Sequence, residues 1–111
     1  MEVMKPQEQI QAEFERAEQA RRRGNEGQAR VCARRAAGIA AREYFIQRGM
    51  IIRTPSAYDV LNLLAEDLEL DAELRQIAEN LTLRVDEEFK LPPDIDLIAE
   101  AGKLCERLLD G

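Results

Sequence analysis

Arginine side chains are, by their number and spacing, the groups of this chain that could do chemistry. Residues 16–53 contain 10 Arg and 3 Glu, a net charge of +7. Arg suits planar, bidentate contact with carboxylate or phosphate groups. In a helix with about 100° per residue, four arginines of the second predicted helix fall within a sector of roughly 140°. This sector, termed the arginine face, consists of Arg30, Arg34, Arg35 and Arg42.

Two interpretations of the arginine face follow from the charge distribution. Residues 1–55 carry a net charge of +4 and residues 56–111 a net charge of −10, which sum to the −6 of the whole chain. The arginine face is either a solvated surface that pairs with the acidic half, or a binding surface for nucleotide, RNA or an acidic protein. Aromatic residues adjoin it only at Tyr44 and Phe45, which does not favour a stacking platform for single strands.

The residue types that are absent exclude many catalytic sites. The chain has no His, so Ser-His-Asp and Cys-His nucleophiles and His-containing zinc sites cannot form. Cys32 and Cys105 form no CxxC motif and are interpreted as buried thiols, with a disulfide as the alternative. Glycine-rich phosphate-binding motifs are also missing. We therefore predict no catalytic residue, no metal ligand and no cofactor.

Helix-forming residues dominate the elements that must position the arginines. Charged residues make up 34% of the chain and aromatic residues 5%. Apolar spacing predicts helices over 6–23 and 26–48, each ended by a glycine, Gly24 or Gly49. A third helix starts at Thr54 with Pro55 in its first turn, or at Ser56 with Asp59 closing a capping box. The fourth starts near residue 71 and the fifth at 93–94.

The predicted core is one apolar stripe per helix. The second helix carries small residues on a narrow stripe and is expected to lie at the centre. The inward residues of the later helices are Val60, Leu61, Leu64, Leu68, Leu74, Ile77, Ala78, Leu81, Val85, Leu97, Ile98, Ala101, Leu104, Cys105 and Leu108. Short links then give an all-α, antiparallel up-and-down bundle of about four to five helices, a single domain over 1–111.

Assembly and location are also predicted. Apolar and Ala positions wrap more than half of the second helix, which favours a homodimer because such a helix needs more neighbours than a small bundle supplies. No apolar run is long enough to span a bilayer, so no membrane association is expected. Residues 1–6 lack the apolar region of a signal peptide, which favours the cytoplasm.

Residues 29–37, which read ARVCARRAA, resemble the HEPN family. In that family a second helix of the type A-R-x-x-A-x-x-A-A follows a short Gly-containing turn. The resemblance extends loosely over residues 10–109, including the order of the helices and the closing amphipathic helix. It implies a helical bundle that often dimerises, with roles beside nucleotidyltransferases, in toxin–antitoxin pairs or in RNA cleavage.

The ribonuclease signature of the HEPN family, an Arg followed a few residues later by His, is missing. The chain has no His, and at the expected place residues 89–94 read FKLPPD, without the Arg. The resemblance therefore implies a non-catalytic binding module that acts as a homodimer, partners a nucleotidyltransferase-like protein, or binds nucleotide or RNA phosphate. A helical-hairpin adaptor between proteins, with no nucleotide ligand, is the alternative. An enzyme that uses carboxylates or Arg alone is a third hypothesis.

Overall fold

The chain folds as a bundle of α-helices. The computed structural model describes residues 4–83 and 95–110, and within these ranges it has no β-strand. The helices are α1 (Pro6–Arg22), α2 (Glu26–Gln47), α3 (Ala57–Ala65), α4 (Ala72–Thr82) and α5 (Leu97–Asp110). The predicted all-α bundle is confirmed. The predictions for Val85 and for the signature region 89–94 lie outside the described residues. The last helix was predicted to start at 93–94, but residues 95–96 are not helical and α5 begins at Leu97, where the Asp96 carboxylate accepts from Ile98 N and Ala99 N.

Two glycines end α1 and α2 as the sequence predicts. Gly24 and Gly49 have φ values of +79° and +85°, a region that L-residues with a Cβ rarely adopt. After each glycine the chain folds back on the helix: Asn25 N donates to Ala20 O at 2.8 Å, and Met50 N donates to Phe45 O at 3.0 Å. Both ends are Schellman motifs. The three-residue link after α1 makes α1 and α2 antiparallel neighbours.

The start of α3 decides between the two predicted caps. Ser56 is the N-cap, and its hydroxyl accepts from Asp59 N at 3.2 Å. The Asp59 carboxylate does not complete a capping box; it accepts from the Thr54 hydroxyl at 2.9 Å, and that hydroxyl accepts from Ser56 N at 3.2 Å. The Thr54 hydroxyl therefore lies between Ser56 N and the Asp59 carboxylate, the two groups that a capping box would join directly. Asp71 caps α4 by accepting from Glu73 N at 2.9 Å.

The core confirms the central position of α2, which contacts α1, α3 and α5. Its small residues are buried, and they are Ala29, Ala33, Ala36, Ala37, Ala40 and Ala41. Because the bundle itself covers this stripe, the reason given for a homodimer is not present in the structure, and the homodimer stays a prediction. The predicted stripe of α5 is buried throughout. Both cysteine thiols are buried and free, as interpreted from the sequence.

Leu68 is a correction to the predicted core. It was expected to face inward, but it is 83% exposed. The helix α3 ends at Ala65, so Leu68 no longer follows the helical period and lies on the link to α4. Leu70 is buried in its place. Ile46, at the end of the α2 stripe, is also exposed.

Arg21 joins three helix ends. Its guanidinium donates from Nε to the Glu26 carboxylate at 2.6 Å and from Nη2 to the Asp96 carboxylate at 3.1 Å. Asp96 in turn accepts from Ile98 N at 3.1 Å at the start of α5. The hydrogen bonds from Arg21 lower the pKa of Glu26 and the pKa of Asp96. The network fastens α5 to the turn between α1 and α2.

The Arg21 network predicts a pH-dependent stability. At neutral pH we expect Arg21→Gln to lower the free energy of unfolding by about 1 kcal/mol, since the pairs are partly exposed. The pKa values of Glu26 and Asp96 are lower in the folded state than in the unfolded chain. Their stabilisation is therefore complete above the unfolded pKa of about 4 and is lost as the pH falls through the folded values.

Urea unfolding of the parent and the Arg21→Gln variant at neutral pH and at about pH 3 measures this effect. The difference in unfolding free energy between the two proteins should shrink at the lower pH. Arg22→Gln is the matched control, because Arg22 is exposed on the same turn and has no ion pair within the described part of the chain. A difference for Arg21→Gln that is as large at pH 3 as at neutral pH would contradict the assignment.

Candidate anion-binding groove

An open groove runs between α1, α2 and the start of α3. Its volume is about 580 Å³, within the range of small-ligand sites. Three members of the arginine face line it, namely Arg34, Arg35 and Arg42. The other lining residues are Pro6, Gln9, Glu13, Val31, Gly38, Ile39, Glu43, Pro55 and Ala57. The helical spacing in the sequence thus brings three of the four candidate residues to one groove, termed the arginine groove.

Arg34 is held by a backbone carbonyl rather than by a carboxylate. Its Nε donates to Leu81 O at 2.6 Å, at the end of α4. The side chain is half-buried, and burial lowers the pKa of its guanidinium, with a smaller opposing effect from Tyr58. No ion pair joins Arg34 to a carboxylate within residues 4–83 and 95–110. Its positive charge is therefore only partly compensated in this part of the molecule.

Arg42, about two turns further along α2, is likewise held by a backbone carbonyl. Its Nη2 donates to Thr54 O at 2.6 Å, which ties α2 to the link before α3. Its Nε is buried and has no hydrogen-bond partner among the described residues. No described carboxylate lies within ion-pair distance of it. A buried donor without an acceptor is costly, so among the described residues Arg42 is only partly satisfied.

Arg35 is positioned by a buried carboxylate. The side chain of Glu13 is 8% exposed, and its carboxylate pairs with Arg16 Nη1 at 2.5 Å and lies 4.0 Å from Arg35 Nη1. Arg35 itself is exposed. Glu13 was not among the residues predicted for a site. Its signal was an acidic residue placed at helical spacing between Ile10 and Ala17, on the inward face of α1.

Arg30 does not line the arginine groove. It is half-buried one turn nearer the start of α2, where its charge helps to lower the pKa of Glu26. The arginine face therefore divides into three groove residues and one residue outside the groove. This division provides a matched pair of arginines on one helix for experiment.

The acidic half of the chain pairs with other arginines. Arg21 meets Asp96, and Arg48 meets Glu69 at 3.5 Å. Among the described residues, no member of the arginine face forms an ion pair with a carboxylate of residues 56–111. The first interpretation, pairing with the acidic half, therefore has no support in this part of the structure.

Cys105 is poorly suited to nucleophilic chemistry. Burial raises the pKa of the Cys105 thiol to about 12, and its Sγ lies 3.6 Å from Ala36 O. The thiolate is the nucleophilic form, so such a thiol is inert near neutral pH. The described residues contain no cluster of three or more Cys, Asp or Glu side chains that could hold a metal ion.

Comparisons with known proteins gave no match: no protein-family model, no curated protein and no solved structure is similar to the chain. No helix in the described ranges is both long enough and apolar enough to cross a membrane.

Proposed function

We propose that the chain is a non-catalytic binding module whose arginine groove takes an anionic ligand bearing phosphate groups. The observation that carries this proposal is that Arg34 and Arg42 are half-buried, bond to neutral carbonyls and have no carboxylate partner in the described residues. Removing a cation from water is costly unless a counter-charge approaches it. An anion in the groove would supply that charge.

The walls of the groove favour a nucleotide among phosphate-bearing ligands. Val31, Ile39 and Pro55 provide apolar surface beside the three guanidinium groups. Arg guanidinium groups bind phosphate oxygens in bidentate fashion, while the apolar wall can cover an organic group. No aromatic side chain of the described residues lines the groove, so a run of stacked RNA bases is less suited to it.

The HEPN resemblance adds a protein partner to this proposal. A non-catalytic HEPN module beside a nucleotidyltransferase-like protein would meet nucleotides in that setting. The missing His and the buried thiols support a role in binding rather than catalysis. Pull-down from the native host, followed by mass spectrometry of proteins and nucleotides, would identify the partner.

Arg35→Gln and Arg30→Gln test the arginine groove with one chemical change at two places on α2. By isothermal titration calorimetry with ATP, we expect Arg35→Gln to weaken binding about tenfold, since a hydrogen bond to a charged group is worth about 1.5 kcal/mol or more. Arg30→Gln should change the affinity by less than about twofold, because Arg30 lies outside the groove. The affinity of the parent should fall with added salt.

Inorganic pyrophosphate, ADP and a short RNA are the comparison ligands. Pyrophosphate carries the same two phosphate groups as ADP but lacks the nucleoside, so weaker binding of pyrophosphate than of ADP supports a role for the apolar wall. Equal losses for Arg30→Gln and Arg35→Gln would indicate a diffuse charge effect rather than a built site. The absence of binding to ATP and to all the comparison ligands would refute the proposal.

The alternative function, an adaptor between proteins, is favoured by a second groove near the end of α2, which Phe45, Met50 and Leu63 line with apolar surface.

A further inference from the structure

Most of the exposed apolar side chains in the described residues belong to one stretch of the chain. Six large apolar side chains are exposed in the described residues, and all except Met4 belong to residues 46–68. They are Ile46, Met50, Ile51, Leu63 and Leu68. Leu68 and Ile51 are almost fully exposed, on the links that follow α3 and α2. Clusters of exposed apolar side chains mark surfaces where other molecules bind.

A groove of about 560 Å³ lies between the end of α2, α3 and the link to α4, and two of these five residues, Met50 and Leu63, line it. Phe45, Met50 and Leu63 supply its apolar lining. This site, termed the apolar groove, shares no lining residue with the arginine groove.

Carboxylates outnumber cations at the rim of the apolar groove. Among the described residues, Glu66, Asp67 and Glu69 line it together with one cation, Arg48. Arg48 is already engaged, because its guanidinium pairs with Glu69 and lies 4.2 Å from the centre of the Tyr44 ring.

The remaining rim carboxylates differ in their contacts. Asp67 accepts from the Tyr44 hydroxyl at 3.0 Å. Glu66 is exposed and forms no ion pair within the described part of the chain. The rim therefore keeps an excess of two negative charges around an apolar centre.

We infer that the apolar groove docks an amphipathic helix of a partner protein that carries Lys or Arg beside its apolar face. The apolar lining fits the apolar face of such a helix, and the excess carboxylates fit its basic flanks. A second copy of this chain fits less well, because it would bring a second acidic rim against the first. The inference is independent of the arginine groove, so either can fail without the other.

A synthetic amphipathic peptide of Leu and Lys, about 18 residues long or five helical turns, is the probe. Fluorescence anisotropy should show that it binds the parent protein and that added salt weakens the binding. A peptide with the same Leu positions but Glu in place of Lys should not bind up to about 1 mM. The double variant Met50→Gln/Leu63→Gln should weaken binding of the Lys peptide about tenfold or more, since it removes apolar contact at the centre of the groove.

Matched controls separate docking from general attraction to an acidic protein. Met4→Gln should leave the affinity within about twofold, because Met4 is 45% exposed, as Met50 is 46% exposed, but lies outside the groove. Glu66→Gln should weaken binding more than Glu106→Gln, which removes an exposed carboxylate from α5. Circular dichroism of each variant checks that the fold is kept.

Three results would overturn the inference. The first is no binding of the Lys peptide by the parent protein. The second is a lack of specificity: either the parent and the double variant bind the Lys peptide equally, or the parent binds the Lys peptide and the Glu peptide equally. The third is a dimer in light scattering that Met50→Gln dissociates, since a second copy would then occupy the groove.

Discussion

Gly38→Ala is expected to lower the free energy of unfolding by about 2 kcal/mol, although Ala is the better helix former. Gly38 lies in the interior of α2, where α3 begins beside it. A Cβ added at Gly38 would lie 2.5 Å from Ala57 Cβ and 2.9 Å from Ala57 Cα. These atoms belong to the backbone of α3 or are fixed to it, so α3 must move away from α2. The overpacking cost exceeds the roughly 1 kcal/mol that Ala gains in helix propensity.

Gly102→Ala is the matched control with the opposite expected sign. Gly102 lies inside α5, and a Cβ added there would meet no atom within 4 Å. The same substitution should therefore raise the free energy of unfolding by up to about 1 kcal/mol. Thermal unfolding checks both, because a difference of about 2 kcal/mol corresponds to roughly 10 °C in a domain of this size.

Ala57→Gly tests the cause of the Gly38 effect. Added to Gly38→Ala, it removes the closest contact but leaves the Ala57 Cα at 2.9 Å, so it should restore part of the lost stability. Equal and favourable effects of Gly38→Ala and Gly102→Ala would show that α2 and α3 are not in this close contact.

Local signals explain why most of the fold could be predicted from the sequence. Gly24 and Gly49 end helices because a left-handed residue is needed there, and Asp71 caps a helix through its own side chain. Each of these features depends on residues within one turn of the chain. The prediction for Leu68 was wrong because a contact distant in sequence was involved. Apolar spacing continued past Ala65, but the helix ends there, and just after it the Asp67 carboxylate accepts from Glu69 N and from the Tyr44 hydroxyl of α2, a contact that spacing does not report.

The arginine groove could be predicted in part, because helical spacing is also a local signal. Helical spacing placed Arg34 and Arg42 on one face, and the structure brings both to the groove. Their acceptors were beyond the reach of sequence analysis. Leu81 O and Thr54 O are backbone atoms, which every residue carries, and Leu81 lies 47 positions away from Arg34. The acidic composition of residues 56–111 favoured carboxylate partners, although the described contacts are carbonyl groups.

Replacing Arg34 and Arg42 together with Gln should have its largest effect on ligand affinity. If each guanidinium contributes a charge-assisted bond of about 1.5 kcal/mol, ATP binding should weaken about a hundredfold or more. The free energy of unfolding of the ligand-free protein should change less, falling by about 1 kcal/mol. The bonds to Leu81 O and Thr54 O are lost, but two half-buried cations with no described carboxylate partner are removed as well. The loss of affinity should be greatest at low salt, where exposed charges are least screened.

The matched control is Arg22→Gln/Arg23→Gln, which changes the net charge equally at exposed positions outside the arginine groove. It should leave ATP affinity within about threefold in the same salt, because only long-range attraction is lost. Calorimetric titration and urea unfolding of both double variants separate the two roles of the groove arginines. A variant of Arg34 and Arg42 that unfolds at lower urea yet binds ATP, pyrophosphate and RNA as the parent does would make these arginines structural. A variant that loses binding while its unfolding free energy falls by no more than about 1 kcal/mol would support the anion site, because the main contribution of these arginines would then be to the ligand rather than to the fold.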